Sequence, residues 1–180
     1  MAIIGEEGNG KSTLLKLICQ EDTDYIDVQG QIACDETIAY LPQHFPDGWE
    51  GQGILDYLLK ETPEAEIEMH RYNQLPEVER LWIKMNGKIS FLYEETRLEL
   101  LSGGEKVKLQ LLKLMMAHCT LLCLDEPSND LDLNTIKWLE NWIRQLEIPC
   151  IFISHDEWLL RKCANQILHL EQVNRQSKCR

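Results

Sequence analysis

The segment Gly5-Glu6-Glu7-Gly8-Asn9-Gly10-Lys11-Ser12 constrains this chain more than any other stretch. It has the form G-x-x-x-x-G-K-S and follows the apolar run Ala2-Ile3-Ile4 directly. Ser12 to Cys19, with Leu14, Leu15, Leu17 and Ile18 apolar, predicts a helix immediately after it. A strand, a glycine loop and a helix in that order turn successive backbone N–H groups inward around an anion, and the helix dipole adds to the attraction. In such a loop Lys11 reaches the β- and γ-phosphates of a nucleotide, and the Ser12 hydroxyl holds Mg²⁺. A merely structural glycine turn is the competing account, but this context is the one that phosphate binding requires.

The rest of the chain alternates short apolar runs with longer helical patterns. This predicts an α/β fold: a P-loop NTPase core with a mostly parallel sheet flanked by helices. Ile38 to Leu41 reads as a strand stopped by Pro42-Gln43, Leu121 to Leu124 as one ending at Asp125-Glu126-Pro127, and Cys150 to Ile153 as one ending at Ser154-His155. Helices are predicted from Lys106 to about Met116 and from about Asn134 to Leu146, then a helix and short strand over Glu157 to Leu170. The stretch from Gly53 to Leu98 is mostly helical in pattern, with turn residues at Pro63, Pro76 and Gly87. The whole of 1–180 therefore reads as one nucleotide-binding domain, with a helical subdomain at roughly 53–118 inserted in the core. The polar tail Asn174 to Arg180 is expected to fray.

Composition narrows the function classes. A length of 180 residues allows one domain with a sizeable core. Eighteen basic against thirty acidic residues give a net charge of -12, which argues against direct nucleic-acid binding by this domain. The acidic stretches Glu21-Asp22-Thr23-Asp24 and Glu61 to Glu68 read as solvated faces. No apolar run approaches the roughly 18–20 residues that span a bilayer, and the N-terminus lacks a basic signal region, so a cytoplasmic location is expected. Seven cysteines, an odd number without C-x-x-C pairing, read as reduced thiols rather than a disulfide framework or zinc site.

Two further motifs carry chemistry. Four apolar residues followed by Asp125 and Glu126 fit a buried strand that delivers carboxylates to the sheet edge where α/β proteins bind ligands. Asp125 would hold Mg²⁺ through water, and Glu126 would polarise the attacking water, because phosphoryl transfer needs a positioned nucleophile. A solvated acidic turn is the alternative. Leu101-Ser102-Gly103-Gly104-Glu105 introduces a long helix, and Ser102 and Glu105 have capping-box spacing. That accounts for both structurally, yet paired glycines behind Ser102 would also form an anion site at a helix N-terminus.

These elements together resemble the ATP-binding cassette family, in which an L-S-G-G-[QE] element lies about twenty residues before the acidic strand. Tyr40-Leu41-Pro42-Gln43 looks like its Q-loop, Ser128-Asn129-Asp130-Leu131-Asp132 like its D-loop, and Ser154-His155-Asp156 like its switch histidine. The resemblance implies that Gly5, Gly8, Asn9, Gly10, Lys11, Ser12 and Thr13 hold ATP, with Ser12, Gln43 and Asp125 around Mg²⁺. It implies that Glu126, Gln43 and His155 act in catalysis, and that Ser102, Gly103, Gly104, Glu105 and Asp132 face the nucleotide of a second cassette. A surface glutamine after a proline turn and a strand-end histidine are the structural alternatives for Gln43 and His155.

Glu105, the run Glu126-Pro127-Ser128-Asn129-Asp130-Leu131-Asp132 and the run Ser154-His155-Asp156-Glu157-Trp158-Leu159-Leu160 are similar to the F subfamily of twin-cassette, ribosome-associated and antibiotic-resistance proteins. Asp130 and Glu157 depart from that pattern, where His and Arg are usual. The resemblance implies ATP hydrolysis with Mg²⁺ by a head-to-tail pair, formed with a second copy or with the other half of a twin-cassette protein. It also implies a ribosome as partner, or alternatively a membrane transporter subunit, or a nucleotide-dependent interaction module with little turnover. Family members carry two earlier strands with an adenine-stacking aromatic residue and, in the F subfamily, a second cassette. The chain is therefore expected to be truncated at both ends and slow in isolation.

Overall fold

The computed structural model describes residues 1–21, 26–59, 67–173 and 176–179, with side chains described for all of these except 67–72, 172–173 and 176–179. Residues 1–43, 118–128 and 140–180 form one compact unit, and residues 44–117 and 129–139 form another.

The first unit is built on a sheet ordered β2 (Ile38–Leu41), β3 (Leu121–Asp125), β4 (Cys150–Ile153), β1 (Ala2–Gly5), β5 (Ile167–Val173) and β6 (Gln176–Cys179). All neighbours pair in parallel except β5 and β6. Every residue of β3 is buried, as a parallel strand covered on both faces demands. Helix α1 (Lys11–Ile18) places Leu14, Leu15 and Ile18 on a core of Ile3, Leu121, Cys123, Ile153 and Leu170. Full burial of Leu15 alone contributes roughly 1.5–3 kcal/mol. Helix α7 (Glu157–Cys163) starts where the Asp156 carboxylate accepts the N–H groups of Trp158 and Leu159.

The strand boundaries predicted for β2 and β4 hold to the residue. The tail does not behave as expected: Gln176–Cys179 pairs with Val173 to Leu170 as β6 instead of fraying. Edge pairing satisfies the backbone groups of β5 there, which polarity of the tail's side chains does not reveal.

The second unit carries α2 (Ile54–Leu59), α3 (Ile67–Lys84), α4 (Ile89–Leu92), a 3-10 turn at Leu98–Leu100 and α5 (Gly103–Met116). Helix α6 (Leu133–Arg144) begins in this unit's last segment and ends in the first unit's. Pro76 lies inside α3, not in a turn as expected. Val78, Leu81, Trp82 and Met85 are all buried, spaced as one helix face, so packing outweighs the hydrogen bond that proline removes. Pro63 and the acidic residues 22–24 and 61–66 lie outside the described residues. At the end of α3 the left-handed residue is Asn86, with φ 59°, while Gly87 is required for space. A Cβ on Gly87 would lie 2.3 Å from the Trp82 ring, whose Nε1 donates to Lys88 O at 2.9 Å. Among the described residues no helix is long and apolar enough to cross a membrane.

Candidate functional site

Strand register brings the acidic and phosphate-type motifs of the first unit to one sheet edge. Asp125 at the end of β3 lies beside Ile153 of β4, and Ile153 lies beside Ile3 of β1. The loop after Gly5, the turn at Glu126 and the Ser154-His155 turn therefore leave adjacent parallel strands at their carboxyl ends, where open α/β sheets bind ligands.

The glycine loop has the backbone its sequence requires. Gly8 and Gly10 both have φ 81°, and a Cβ on either would meet nothing within 4 Å. Their glycines thus serve conformation and leave open space at the loop. Gly5 serves packing: a Cβ there would lie 2.4 Å from the carbonyl oxygen of Leu170 on β5. The Asn9 side-chain amide donates to that same carbonyl at 3.0 Å and ties the loop to the sheet. Lys11, only 8% exposed, folds back so that Nζ donates to Gly5 O at 3.0 Å and Glu6 O at 2.9 Å.

Ser12 Oγ donates to Asp125 Oδ1 at 3.1 Å, joining α1 to β3 across 113 residues. Asp125 is 1% exposed, and its Oδ2 has no partner. Burial pushes its carboxyl above the usual range, opposed by the Ser12 hydroxyl and the charges of Lys16 and Lys11. A half-buried hydroxyl and a buried carboxylate, with one oxygen unsatisfied, are the hard oxygen donors that Mg²⁺ takes. The residues present fit that ion.

Glu126 adopts φ 51°, an uncommon conformation for a side chain of its size, and such strain gathers at functional turns. Its N–H donates to Ile153 O at 3.0 Å, and its Oε2 accepts the His155 N–H at 3.2 Å. The other oxygen, Oε1, is buried without a hydrogen bond and lies 3.4 Å from His155 Nε2. Burial raises the Glu126 carboxyl, while the adjoining His155 lowers it. Ser154, itself buried, accepts the Asp156 N–H at 3.0 Å and meets Ser128 Oγ at 3.3 Å, so the two turns are joined. Gln43 is exposed after β2, and among the described residues no hydrogen bond of its side chain is seen. Thr13 lies in the first turn of α1.

The second unit holds the remaining predicted residues. Ser102 caps α5 as a full capping box: its Oγ accepts the Glu105 N–H at 3.4 Å, and Glu105 Oε2 accepts the Ser102 N–H at 2.9 Å. The Ser102 hydroxyl donates to the same Glu105 oxygen at 2.6 Å. Gly103 and Gly104 are needed because Asp130 lies against them: a Cβ on Gly103 would be 2.5 Å from Asp130 Oδ2, and one on Gly104 would be 2.4 Å from Asp130 O. Asp132 caps α6, accepting the N–H groups of Asn134 and Thr135 on Oδ1 and the Thr135 hydroxyl and Lys108 ammonium on Oδ2. These bonds hold its carboxyl well below the usual range.

The sequence reading passed over the link from Asn9 to Leu170, the Ser128–Ser154 contact and the buried Tyr40 hydroxyl. Each depends on segments remote in the chain, and only the parallel registers of β1 with β5, β3 with β4 and β2 with β3 could have signalled them.

A family model described as ABC transporter matches residues 1–129. The chain belongs to the ATP-binding cassette family. ABC transporter F family member 5 of Arabidopsis thaliana is 34% identical over 171 residues, covering 95% of this chain and 23% of that protein. The Energy-dependent translational throttle protein EttA of Escherichia coli is 32% identical over 172 residues, covering 93% of this chain and 29% of that protein. The chain thus spans about a quarter of the length of these curated relatives, and it resembles the F subfamily. The solved structure of an RNase-L Inhibitor superimposes with a TM-score of 0.74 at 24% identity, covering 99% of this chain and 33% of that one, which shows the shared cassette fold.

Proposed function

We propose that this cassette binds Mg-ATP and hydrolyses it to ADP and phosphate as one member of a head-to-tail pair. The observation that carries the reading is the Ser12–Asp125 bond, with an unsatisfied Asp125 oxygen on one side and the strained Glu126 on the other. The group set combines a hydroxyl and carboxylate for a cation, an ammonium for phosphates and a second carboxylate beside them, which are the recurring parts of phosphoryl-transfer sites. When bound, Mg²⁺ supplies neutralisation of the phosphate oxygens.

The chain's own groups have defined tasks. Lys11 exchanges the Gly5 and Glu6 carbonyls for phosphate oxygens. Glu126, its carboxyl raised by burial, accepts a proton from water at the unpartnered Oε1. His155, next to that oxygen, orients the acceptor. Ser102, Gly103 and Gly104 meet the nucleotide of the facing cassette, and the exposed positions of Ser102 and Gly103 support that reading. Gln43, Thr13, Glu105 and Asp132 join the site on the family resemblance.

The wider role we propose is cytoplasmic and ribosome-associated, of the F-subfamily kind, supported by the likeness to a translational throttle protein. A second reading, the ATP-binding subunit of a membrane transporter, is favoured by the description of the matching family. Co-sedimentation of the chain with ribosomes in ATP tests the first. Its failure, with recovery instead in complex with a membrane-spanning protein, would replace the first by the second.

A further inference from the structure

Tyr40 sits on β2 opposite Cys123 of β3, two residues before Asp125, so its side chain shares the sheet face on which Asp125 lies. That face is covered by the same core that receives α1, and Tyr40 packs against it. Its hydroxyl is shut off from solvent with no hydrogen-bond partner, and so is Asp125 Oδ2. The two groups are neighbours on that face, each acting electrostatically on the other. A phenol donor and an acceptor with a lone pair to fill lie close together without a well-formed bond. A phenylalanine would fill nearly the same space without an orphaned hydroxyl, and a buried polar group without a partner calls for a reason.

We infer that Tyr40 is a positioning residue for the metal site: its hydroxyl donates to Asp125 Oδ2 when a cation fixes the carboxylate, and so keeps Oδ1 turned to Ser12. This rests on the nucleotide-binding reading above. The bond would take one lone pair of Oδ2 from behind and leave the other for the ion, and such supporting partners of metal ligands strongly affect metal affinity. Tyr40 touches neither nucleotide nor ion; it acts through Asp125.

The test uses the full 180-residue chain, wild type and Tyr40→Phe. Binding of a fluorescent anthraniloyl-ATP is measured first in chelator and then as Mg²⁺ is titrated, with thermal melting of the metal-free proteins alongside. The expected result has three parts. Metal-free nucleotide binding is equal in the two proteins, and the variant melts no lower than wild type, because an unpartnered hydroxyl has been removed. The Mg²⁺ concentration for half-maximal enhancement rises about tenfold or more in the variant. An unchanged Mg²⁺ midpoint overturns the inference and leaves nucleotide binding standing. A variant that melts lower and binds less nucleotide in chelator also overturns it, by showing a packing role. Wild-type protein that binds no nucleotide in either condition overturns both the inference and the reading beneath it.

Discussion

The two halves of the predicted site are built on opposite principles. In the first unit the functional groups are buried and incompletely satisfied: Asp125 Oδ2 and Glu126 Oε1 lack partners, and Lys11 is turned onto loop carbonyls. In the second unit the corresponding groups satisfy one another: Ser102 with Glu105, Asp132 with Thr135 and Lys108. An unsatisfied buried polar atom costs stability and points to a missing ligand. A closed capping box points to nothing beyond a helix start. The first half points to a candidate binding site from physical chemistry alone, whereas the second does so only through its motif.

The comparison breaks most readily at Glu126. Glu126→Gln should lower phosphate release by the paired cassette about 10²–10⁴-fold while keeping ATP bound. The same substitution removes the burden of a buried charge, so the variant should melt at the same temperature or higher. A variant that hydrolyses ATP at the wild-type rate would show that the strained turn is structural. Next in size is Lys11→Ala, expected to weaken ATP binding about 100-fold, since the ammonium makes charge-assisted bonds; isothermal titration reads it. If affinity stays within a few-fold, the loop is not the phosphate site.

In the unpaired chain, the second half should respond in stability rather than in nucleotide binding. Gly104→Ala drives a Cβ into the backbone carbonyl of Asp130 and should cost about 1–3 kcal/mol, as overpacking does. Gly103→Ala, which meets the end of the Asp130 side chain, should cost less. Denaturant melts compare the two, and ATP binding by the first unit should stay unchanged in both. Equal costs would mean that Asp130 is held as firmly by its side chain as by its backbone.

Asp132→Ala is the smallest effect, about 1 kcal/mol for a lost helix cap. Because the folded-state carboxyl lies below its usual value, the cap's ionic share is present above about pH 4 and fades as pH falls further. The gap between wild type and Asp132→Ala in thermal melts should therefore narrow in acid. A gap that widens there would remove the charge from the account.

Much of this was legible in the sequence because it is local. The glycine loop, the capping box, and the apolar runs of β2, β3 and β4 each declare themselves within a few residues. The failures were of two kinds. Local propensity makes Pro76 a turn residue, while the buried face from Val78 to Met85 overrides it. The tail was read as frayed because its side chains are polar, while its backbone completes a sheet edge.

The residue types suited to a phosphate and a cation, and the strands and glycine loop that present them, follow from sequence alone. Tertiary structure decided what each group meets. The Asn9 amide meets Leu170 O, Ser12 meets Asp125, and the Tyr40 hydroxyl is buried unmatched on the sheet face it shares with Asp125. Those pairs join residues from 85 to 161 positions apart, and a parallel sheet brings them together through crossovers that no local pattern encodes.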